Sequence, residues 1–249
     1  MTNIALVTGA NSGIGRATAL RLGIEGAGVA VHYLSNRAEA MEVVEELRAM
    51  GRDADAFCGD LTDLAQLRTM VSGVERRFGR IDVLVNNAGD LVERRGLLEM
   101  TPDLYRKIFD VNVATALFCC QAVAGGMIAR RSGAIVNLSS LAAHNGGGPG
   151  AYVYAAAKAA IIALTKGLAR ELAPHGIRVN CVSPGLIGGT AFHARFTPPE
   201  AFASAEKTVP LGRAGTPDDV ARVIAFLAGT GAGYVAGETI EINGGMMMR

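Results

Sequence analysis

Two kinds of segment alternate along this chain, and the alternation constrains its fold more than any other feature. Short apolar runs rich in β-branched residues are separated by longer segments in which apolar residues recur at helical spacing. The runs cover residues 4–8, 29–33, 54–58, 81–85, 134–138, 178–182 and 239–242. The helical segments include residues 38–50, 63–78 and 152–172. This pattern predicts an α/β fold, a doubly wound parallel sheet of about seven strands with helices on both faces.

No linker, repeat or low-complexity tract interrupts the pattern, so residues 1–249 are expected to form a single domain. The longest segment without helical or strand periodicity, residues 185–208, follows the sixth apolar run. In open α/β sheets, ligands bind beyond the carboxyl ends of the strands. Because this segment opens with Gly185, Gly188 and Gly189, we expect it to form a lid over the substrate.

The charge balance disfavours two classes of partner. The chain has 24 Lys and Arg against 23 Asp and Glu, so no surplus of positive charge is available to neutralise nucleic acid or an anionic membrane. Residues 113–129 are apolar enough to cross a bilayer, but their small residues and the polar Asn112 and Gln121 favour a helix buried in the protein. The first residues carry no basic segment, which disfavours a secretory signal, and we expect a cytoplasmic protein.

Cysteine and histidine show neither a disulfide framework nor metal-ligand spacing. The cysteines include no CxxC pair, and two of them are adjacent in the sequence. The residues concerned are Cys58, Cys119, Cys120 and Cys181, together with His32, His144, His175 and His193. We expect reduced thiols in apolar packing, histidines at the surface or in packing, and no metal.

A glycine-rich turn follows the first apolar run. It reads Thr8-Gly9-Ala10-Asn11-Ser12-Gly13-Ile14-Gly15, and the helix behind it is predicted to start near Arg16. Glycines let the backbone approach a pyrophosphate, whose charge is stabilised by free N–H groups and by the positive end of the helix dipole. Placed between a strand and a helix, this turn predicts a Rossmann-type dinucleotide site.

Tyr154 and Lys158 lie four residues apart in a strongly helical segment, so their side chains share one face. A phenol has a pKa of about 10 and is rarely ionised at neutral pH. A neighbouring ammonium, and any positive charge on a bound cofactor, would bring Tyr154 toward the working range of an acid/base catalyst. Tyr152 falls on another helical face, where we expect it to pack or to shape the substrate pocket.

Further residues complete an ordered set of motifs along the chain. They are Asp60-Leu61, Asn86-Asn87-Ala88-Gly89, Asn112, Ser140, the pair Tyr154 and Lys158, and Pro184-Gly185. With these motifs and a glycine turn of the form TGxxxGxG, the chain resembles the short-chain dehydrogenase/reductase family over essentially its whole length. The resemblance implies an enzyme that transfers hydride between a nicotinamide cofactor and a ketone or secondary alcohol, with no metal.

The same resemblance implies four catalytic residues. Tyr154 would act as the acid/base, and Lys158 would lower its pKa and hold the nicotinamide ribose. Ser140, with Ser139 as the alternative, would bind the substrate oxygen and stabilise the developing negative charge. Asn112 would hold a water that links Lys158 to solvent, or it is a core amide with satisfied hydrogen bonds. The segment between Ser140 and Tyr154 is one residue longer than in common relatives.

The end of the second apolar run bears on which nicotinamide cofactor is used. Tyr33 stands where NAD-dependent members of the family carry Asp, and Ser35, Asn36 and Arg37 can donate hydrogen bonds to a 2′-phosphate. NADP(H) is therefore favoured over NAD(H), although Ser12 stands where many NADP-using relatives carry a base.

Asp60 would accept a hydrogen bond from the adenine amino group, or it caps a helix for which Thr62 and Asp63 are better candidates. Asn87, Ala88 and Gly89 would line the cofactor through their backbone, with Asn86 bracing the sheet. The full set of expected cofactor-binding residues is Gly9, Asn11, Ser12, Gly13, Ile14, Gly15, Tyr33, Ser35, Asn36, Arg37, Asp60, Leu61, Asn87, Ala88, Gly89, Tyr154, Lys158, Pro184, Gly185 and Ile187.

The sequence constrains the identity of the substrate less than it constrains the type of reaction. The turn after the sixth run and the ending Ile242-Asn243-Gly244-Gly245 resemble the branch that includes 3-oxoacyl-carrier-protein reductases, which is our first expectation. Sugar, polyol and sugar-acid (uronate or 2-keto) dehydrogenases and reductases share that branch and form the alternative. Basic side chains near the expected lid would attract an anionic substrate or are simply solvated. They are His193, Arg195, Arg94 and Arg95.

Two further expectations follow from the resemblance. Relatives are usually homotetramers built through the helices at residues 113–129 and 152–172, and the small apolar residues of both segments are compatible with close packing. A cofactor-sensing regulator without turnover is a distant alternative. Such proteins typically lose the tyrosine or the lysine, whereas Tyr154 and Lys158 are both present.

Overall fold

A computed structural model describes residues 3–248 of the chain. Its strands are β1 (Ile4–Val7), β2 (Gly28–Tyr33), β3 (Ala54–Cys58), β4 (Val83–Asn86), β5 (Gly133–Leu138), β6 (Ile177–Pro184) and β7 (Thr239–Ile242). All pair in parallel in one seven-stranded sheet of order β3-β2-β1-β4-β5-β6-β7. The order reverses at β1 and β4, where ligands bind in sheets of this type. The predicted α/β fold is confirmed.

Helices follow the strands and cover both faces of the sheet. They are α1 (Gly13–Ile24), α2 (Arg37–Ala49), α3 (Leu64–Phe78), α4 (Pro102–Phe109), α5 (Thr115–Arg130), α6 (Ala142–Asn145), α7 (Tyr152–Leu172), α8 (Ala191–Phe196), α9 (Pro199–Glu206) and α10 (Pro217–Ala228). A single π-helical turn, Asp110–Ala114, joins α4 to α5. The expected lid, residues 185–208, thus contains the short helices α8 and α9.

Side chains of the central strands alternate between two apolar layers, because successive residues of a strand point to opposite faces. On β1, Val7 packs in the layer formed with α1, α2 and α10, which also holds Ile224. Leu6 packs in the other layer, with Val123 of α5 and Leu67 of α3. The residues of the central strands β1, β2 and β4 are buried, which explains why their sequences are apolar without polar alternation.

Several boundaries differ from the sequence expectation by one to three residues, and two of these differences lie near the candidate site. Helix α1 starts at Gly13 rather than near Arg16, because the amide of Arg16 already donates to the carbonyl of Ser12, at 3.0 Å. Strand β6 extends to Pro184 because Pro184 remains in register with Ile242 of β7. Both shifts lengthen elements whose ends meet at the carboxyl edge of the sheet.

Two helical stretches, Pro102–Arg130 and Tyr152–His175, are long and apolar enough to cross a membrane by length and composition alone. Within their most apolar windows 39% and 50% of the residues are buried inside the protein. Core helices of globular proteins meet the same criterion, so this composition is compatible with helices packed on a sheet.

Candidate active site

The glycine turn is locked to the segment that follows β4. The Thr8 hydroxyl accepts hydrogen bonds from the amides of Asn87 and Ala88, at 3.0 and 2.9 Å. The side-chain amide of Asn87 donates to the carbonyls of Thr8 and Gly9, at 2.8 and 3.0 Å. Asn87 therefore acts through its side chain on the turn itself, in addition to any backbone contact with a cofactor.

Glycine is required in this turn on steric grounds. Gly9 has a φ of 61°, a left-handed conformation that side chains disfavour. A Cβ atom on Gly15 would lie 2.1 Å from the carbonyl oxygen of Gly9. The Ser12 side chain makes no capping bond to the described residues, so the first amides of α1 stay available. Such a cradle fits the diphosphate of a dinucleotide.

The segment after β2 provides the polar groups expected near an adenosine ribose. Tyr33 is largely buried, whereas Ser35, Asn36 and Arg37 are exposed. Asn36 is the N-cap of α2, and its side-chain oxygen accepts from the amide of Glu39. Arg37 forms no ion pair with any residue between 3 and 248, so its charge is available to an anionic ligand.

Asn11 and Glu39 join the glycine turn to α2. The side-chain amide of Asn11 donates to a carboxylate oxygen of Glu39 at 2.7 Å. Sequence reasoning recognised Glu39 only as the first acid after β2 and missed this contact, because the two residues belong to different elements. The contact places a carboxylate beside the turn expected to hold the cofactor.

Asp60 lies just after β3, and its carboxylate accepts from the amide and hydroxyl of Thr62, at 2.9 and 2.7 Å. Helix α3 is capped by Asp63, which accepts from the amides of Ala65 and Gln66. Asp60 is thus not the cap of α3. Leu61, next to it, is buried in the core.

Tyr154 and Lys158 lie on α7 with their side chains together, the Lys158 ammonium 5.7 Å from the centroid of the Tyr154 ring. Lys158 is buried and donates to the carbonyl of Leu138 at 3.0 Å. The side chain of Ser140 lies close enough to the Tyr154 hydroxyl to act on its pKa. The hydroxyl of Ser139 instead donates to the carbonyl of Lys158 at 2.7 Å, so Ser140 is the serine that faces Tyr154.

Burial controls the protonation of this pair. Burial raises the pKa of Tyr154 to about 12, and the negative charge of Asp90 raises it further. The nearby side chain of Ser140 acts in the opposite direction and lowers it. Burial also lowers the pKa of Lys158 to about 8. In the protein alone, the lysine does not overcome the desolvation of the phenol, in contrast to the expectation that it would lower the pKa of Tyr154.

Asn112 sits in the π-helical turn, a deviation from α-helix that is often found at functional sites. Its side-chain amide donates to the carbonyls of Asp90 and Ile108, at 2.7 and 2.8 Å. Its side-chain oxygen is buried and has no hydrogen-bond partner among the described residues. Protein groups thus satisfy the side-chain amide N–H groups of Asn112 and leave its side-chain oxygen unpaired.

Gly89 brings Asn112 and Lys158 together. A Cβ atom on Gly89 would lie 2.7 Å from the side-chain oxygen of Asn112 and 2.9 Å from the Lys158 nitrogen. Only a glycine at this position allows both polar groups to approach the chain after β4 so closely. Neighbouring Asn86 braces the sheet, donating to the Asn137 side chain at 2.9 Å.

The segment after β6 closes the far side of the site. Pro184 ends β6 and accepts from the amide of Leu141 at 2.8 Å. Gly185 passes so close to Asn243 that a Cβ atom would lie 2.7 Å from its Cβ. Ile187 forms an isolated bridge with Gly215. These contacts hold the start of residues 185–208 at the carboxyl edge of the sheet.

Helix α8 lies over the catalytic tyrosine candidate. The ring of Phe192 is 5.7 Å from the ring of Tyr154. Thr190, at the start of α8, lies 3.8 Å from the position of a Cβ atom on Gly13. Sequence reasoning did not single out Phe192, because nothing in the sequence signals which residues of an irregular segment turn inward.

The basic side chains near the lid bind protein groups. Arg195 pairs with the Asp90 carboxylate at 3.0 Å and donates to the carbonyl of Val92. Arg94 donates to the carbonyls of Pro149 and Phe196, at 2.8 and 3.3 Å. These arginines tie the lid to the segment after β4.

The other two basic groups are partnered as well. His193 is hydrogen-bonded to the Thr197 hydroxyl, and its pKa is lowered by burial and by the charge of Arg94. Arg95 is paired with Glu93. All four basic groups of the lid region therefore contact protein groups, and none is left without a partner for an anionic substrate.

The predicted site residues therefore meet along one edge of the sheet. The glycine turn and the segments after β2 and β3 form one end. Ser140, Tyr154, Lys158 and Asn112 form the other. Together they form an elongated candidate site with the glycine turn at one end and Tyr154 beneath α8 at the other.

Comparisons with known proteins find relatives over nearly the whole chain. A family model described as enoyl-(acyl carrier protein) reductase matches residues 9–247. The 3-oxoacyl-[acyl-carrier-protein] reductase FabG of Staphylococcus aureus is 42% identical over 248 residues, covering 100% of this chain and 99% of that protein.

Solved structures show the same similarity. Acetoin dehydrogenase from Enterobacter cloacae is 37% identical with a TM-score of 0.89, over 99% of this chain and 96% of that one. An NADH-dependent reductase, A1-R′, responsible for alginate metabolism is 31% identical with a TM-score of 0.91, over 100% and 98%. The chain is thus similar over its whole length to reductases and dehydrogenases with different named substrates.

Proposed function

This chain belongs to the short-chain dehydrogenase/reductase family of oxidoreductases, which act on CH–OH and C=O groups with a nicotinamide cofactor, and we propose that it is an NADPH-dependent 3-oxoacyl thioester reductase. The observation that carries the proposed chemistry is the grouping of Ser140, Tyr154 and Lys158 under the lid, at the opposite end of the site from the glycine turn.

The cofactor, when bound, supplies or accepts the hydride. The protein's own residues handle the proton and the charge on the substrate oxygen. Tyr154 is protonated at neutral pH because burial raises its pKa to about 12, so it can donate a proton to the oxygen of a ketone. The hydroxyl of Ser140, held against Tyr154, donates a hydrogen bond to the same oxygen and stabilises the charge that develops there.

Lys158 and Asn112 support the tyrosine in this proposal. Lys158 remains largely protonated at neutral pH, since its pKa is about 8, and its charge favours the ionised form of Tyr154 during turnover. It would also hold the nicotinamide ribose. The unpaired oxygen of Asn112 lies beside the Lys158 ammonium, where it can accept from a water that relays a proton to solvent.

Preference for NADPH is supported by the segment after β2. Arg37 is exposed and unpaired among residues 3–248, and Ser35 and Asn36 provide further donors, a set suited to a 2′-phosphate. The carboxylate of Glu39 argues for the alternative, NADH, because a carboxylate in this region repels a 2′-phosphate. One structural relative is named as NADH-dependent.

The thioester substrate is proposed from relatives that are 38% to 42% identical over nearly the full chain and are named 3-oxoacyl-[acyl-carrier-protein] reductases. A sugar, polyol or sugar-acid substrate is the alternative, favoured by the relative of alginate metabolism. A small hydroxyketone is a further candidate, because the ring of Phe192 lies over Tyr154 and two relatives are named acetoin dehydrogenases. The cofactor-sensing regulator stays a distant alternative.

The deciding experiment follows NADPH oxidation with acetoacetyl-coenzyme A, diacetyl and a 2-keto sugar acid at matched concentrations. Efficient turnover of the thioester alone supports the proposed function. Preference for diacetyl or for the sugar acid assigns the chain to one of the other substrate classes. Cofactor binding without turnover of any of these carbonyls, or of the corresponding alcohols with NADP⁺, supports the regulator.

We also propose a cytoplasmic homotetramer with no nucleic-acid or membrane partner. Support comes from the net charge of +1 and from the apolar helices α5 and α7. A second copy packed on these helices would cover their remaining apolar surface. Sedimentation velocity distinguishes a tetramer from a monomer or a dimer.

A further inference from the structure

His32 is a buried histidine on β2 that the proposed chemistry does not use. It is 2% exposed, and both ring nitrogens are hydrogen-bonded to backbone groups. Nδ1 accepts from the amide of Gly9 at 3.0 Å, and Nε2 lies 2.9 Å from the carbonyl oxygen of Gly59. A backbone amide can only donate and a carbonyl can only accept, so the ring is neutral and carries its proton on Nε2.

The two partners of His32 belong to two segments that are expected to line the cofactor site, the turn after β1 and the end of β3. Gly9 is the first glycine of the turn that would hold the diphosphate, and Gly59 precedes Asp60, the residue expected at the adenine. The carbonyl of His32 also accepts from the amide of Ala10 at 2.8 Å, a second bond to the same turn. The His32 side chain therefore connects the glycine turn, expected at the diphosphate, to the end of β3, expected at the adenine.

We propose that His32 is a positioning residue that holds the glycine turn and the end of β3 at the spacing a dinucleotide requires, and that its protonation loosens this site. A protonated ring presents an N–H at Nδ1 to the N–H of Gly9, so that bond is lost. Gly9, whose left-handed backbone depends on its surroundings, then lacks the acceptor that fixes its amide. The inference rests on the dinucleotide site of the proposed function.

The groups around the ring make its protonation unfavourable at neutral pH. Burial lowers the pKa of His32 below its ordinary value of 6.5, while the Gly59 carbonyl and the Asp60 carboxylate act in the opposite direction. Asp60 is the charged group that acts on the ring from the end of β3. The residue of β3 that lies in register with His32 is the uncharged Phe57.

Protonation is therefore expected only below pH 6.5. Among residues 3–248, the hydrogen bonds of the ring go to Gly9 and Gly59 and not to Ser140, Tyr154 or Lys158. A change at His32 should thus alter cofactor affinity and leave the chemical step intact. This separation distinguishes a positioning role from general damage to the fold.

The test measures binding of NADP⁺ and NAD⁺ to the full chain by calorimetry from pH 5 to pH 8. Replacing His32 with Phe removes both ring contacts, and we expect Kd for both dinucleotides to rise about tenfold at pH 7.5, as for the loss of one hydrogen bond. Turnover at saturating cofactor should stay within about twofold of wild type, since the catalytic groups are untouched. His175→Gln, a histidine outside the site, is the matched control.

A His32→Gln variant keeps an acceptor and a donor but cannot titrate. It should bind both dinucleotides more tightly than His32→Phe and lose the weakening that wild type shows below pH 6.5. NAD⁺ has no 2′-phosphate, so titration of that phosphate cannot account for a pH effect seen with it. The proposal is overturned if His32→Phe binds both dinucleotides like wild type.

The proposal is also overturned if dinucleotide binding by His32→Gln weakens below pH 6.5 as it does in wild type. This second measurement decides the matter even if His32→Phe does not fold. Wild-type protein that binds neither dinucleotide at any pH would instead contradict the proposed function.

Discussion

The aromatic ring of Phe192 lies 5.7 Å from the ring of Tyr154, with the two planes tilted by 38°. Phe192 belongs to α8 in the segment after β6, whereas Tyr154 stands at the start of α7. This contact removes the phenol from solvent and contributes to the burial that raises its pKa to about 12. The lid is therefore part of the environment that controls the candidate acid.

Replacing Phe192 with Ala should expose Tyr154 and enlarge the space above it. We expect the pKa of Tyr154 to fall toward its ordinary value and kcat/KM for bulky ketones to rise relative to that for small ones. The measurement is the pH profile of kcat/KM with a short and a branched ketone. Phe226→Ala, a half-exposed phenylalanine on α10, serves as the control, and equal effects of both variants would exclude a specific role of the lid.

Replacing Tyr154 with Phe should abolish proton transfer and keep the ring. A general acid contributes about 100-fold to 10,000-fold in rate, so kcat should fall by that order while the Kd for NADPH is retained. Steady-state kinetics and direct binding measure the two quantities. Tyr152→Phe, two residues earlier on α7, should leave kcat within about twofold. Comparable losses in both variants would place the acid elsewhere.

The lowered pKa of Lys158 predicts an unusual pH dependence of the free energy of unfolding. Its pKa falls from 10.5 in the unfolded chain to about 8 in the folded protein, so the unfolded state binds more protons between these values. The buried ammonium of Lys158 destabilises the fold below pH 8, and this destabilisation fades as the pH rises above 8. We therefore expect the melting temperature of Lys158→Met, relative to wild type, to shift downward between pH 7 and pH 9.

Thermal melting at pH 7, 8 and 9 measures this shift. The comparison stops at pH 9 because the buried thiols Cys119 and Cys120, whose pKa burial raises to about 12, destabilise the fold at higher pH. Lys166→Met, an exposed lysine on the same helix, should show a constant difference from wild type. A constant difference for Lys158→Met as well would mean that its amine is not desolvated.

Replacing Arg37 with Ala should reduce the preference for NADPH. A charge-assisted hydrogen bond to a phosphate contributes about 1.5 to 3 kcal/mol, so the ratio of kcat/KM for NADPH over NADH should fall by about tenfold or more. Arg68→Ala, an exposed arginine on α3, should not change the ratio. If Glu39→Gln raises the ratio and Arg37→Ala leaves it unchanged, the carboxylate rather than the arginine sets cofactor choice.

Much of the fold was predictable because the residues of the central strands are buried and because long helices such as α3 and α10 have an apolar stripe. The seven strands and the pairing of Tyr154 with Lys158 on one helical face follow from spacing alone. Helix α1 was predicted three residues late, since the sequence of a glycine turn does not show where its first helical hydrogen bond forms.

The long-range contacts of the site were not predictable. Asn112 was recognised from the family resemblance, but its unpaired oxygen beside Lys158 depends on the path of the chain at Gly89. A lowered pKa of Tyr154 was expected from its charged neighbour, whereas burial raises this pKa in the protein alone. Burial of this kind arises from segments far apart in the sequence, here α7 and the lid.

The ion pair between Arg195 and Asp90 gives the lid a sensitivity to dissolved salt. Both side chains are substantially exposed, 60% and 36%, so mobile ions screen their attraction. Where escape of the product from beneath α8 limits the catalytic cycle, added salt should speed turnover, since it weakens the attachment that must break. In that case the salt concentration controls the turnover rate through a contact that lies outside the reacting centre.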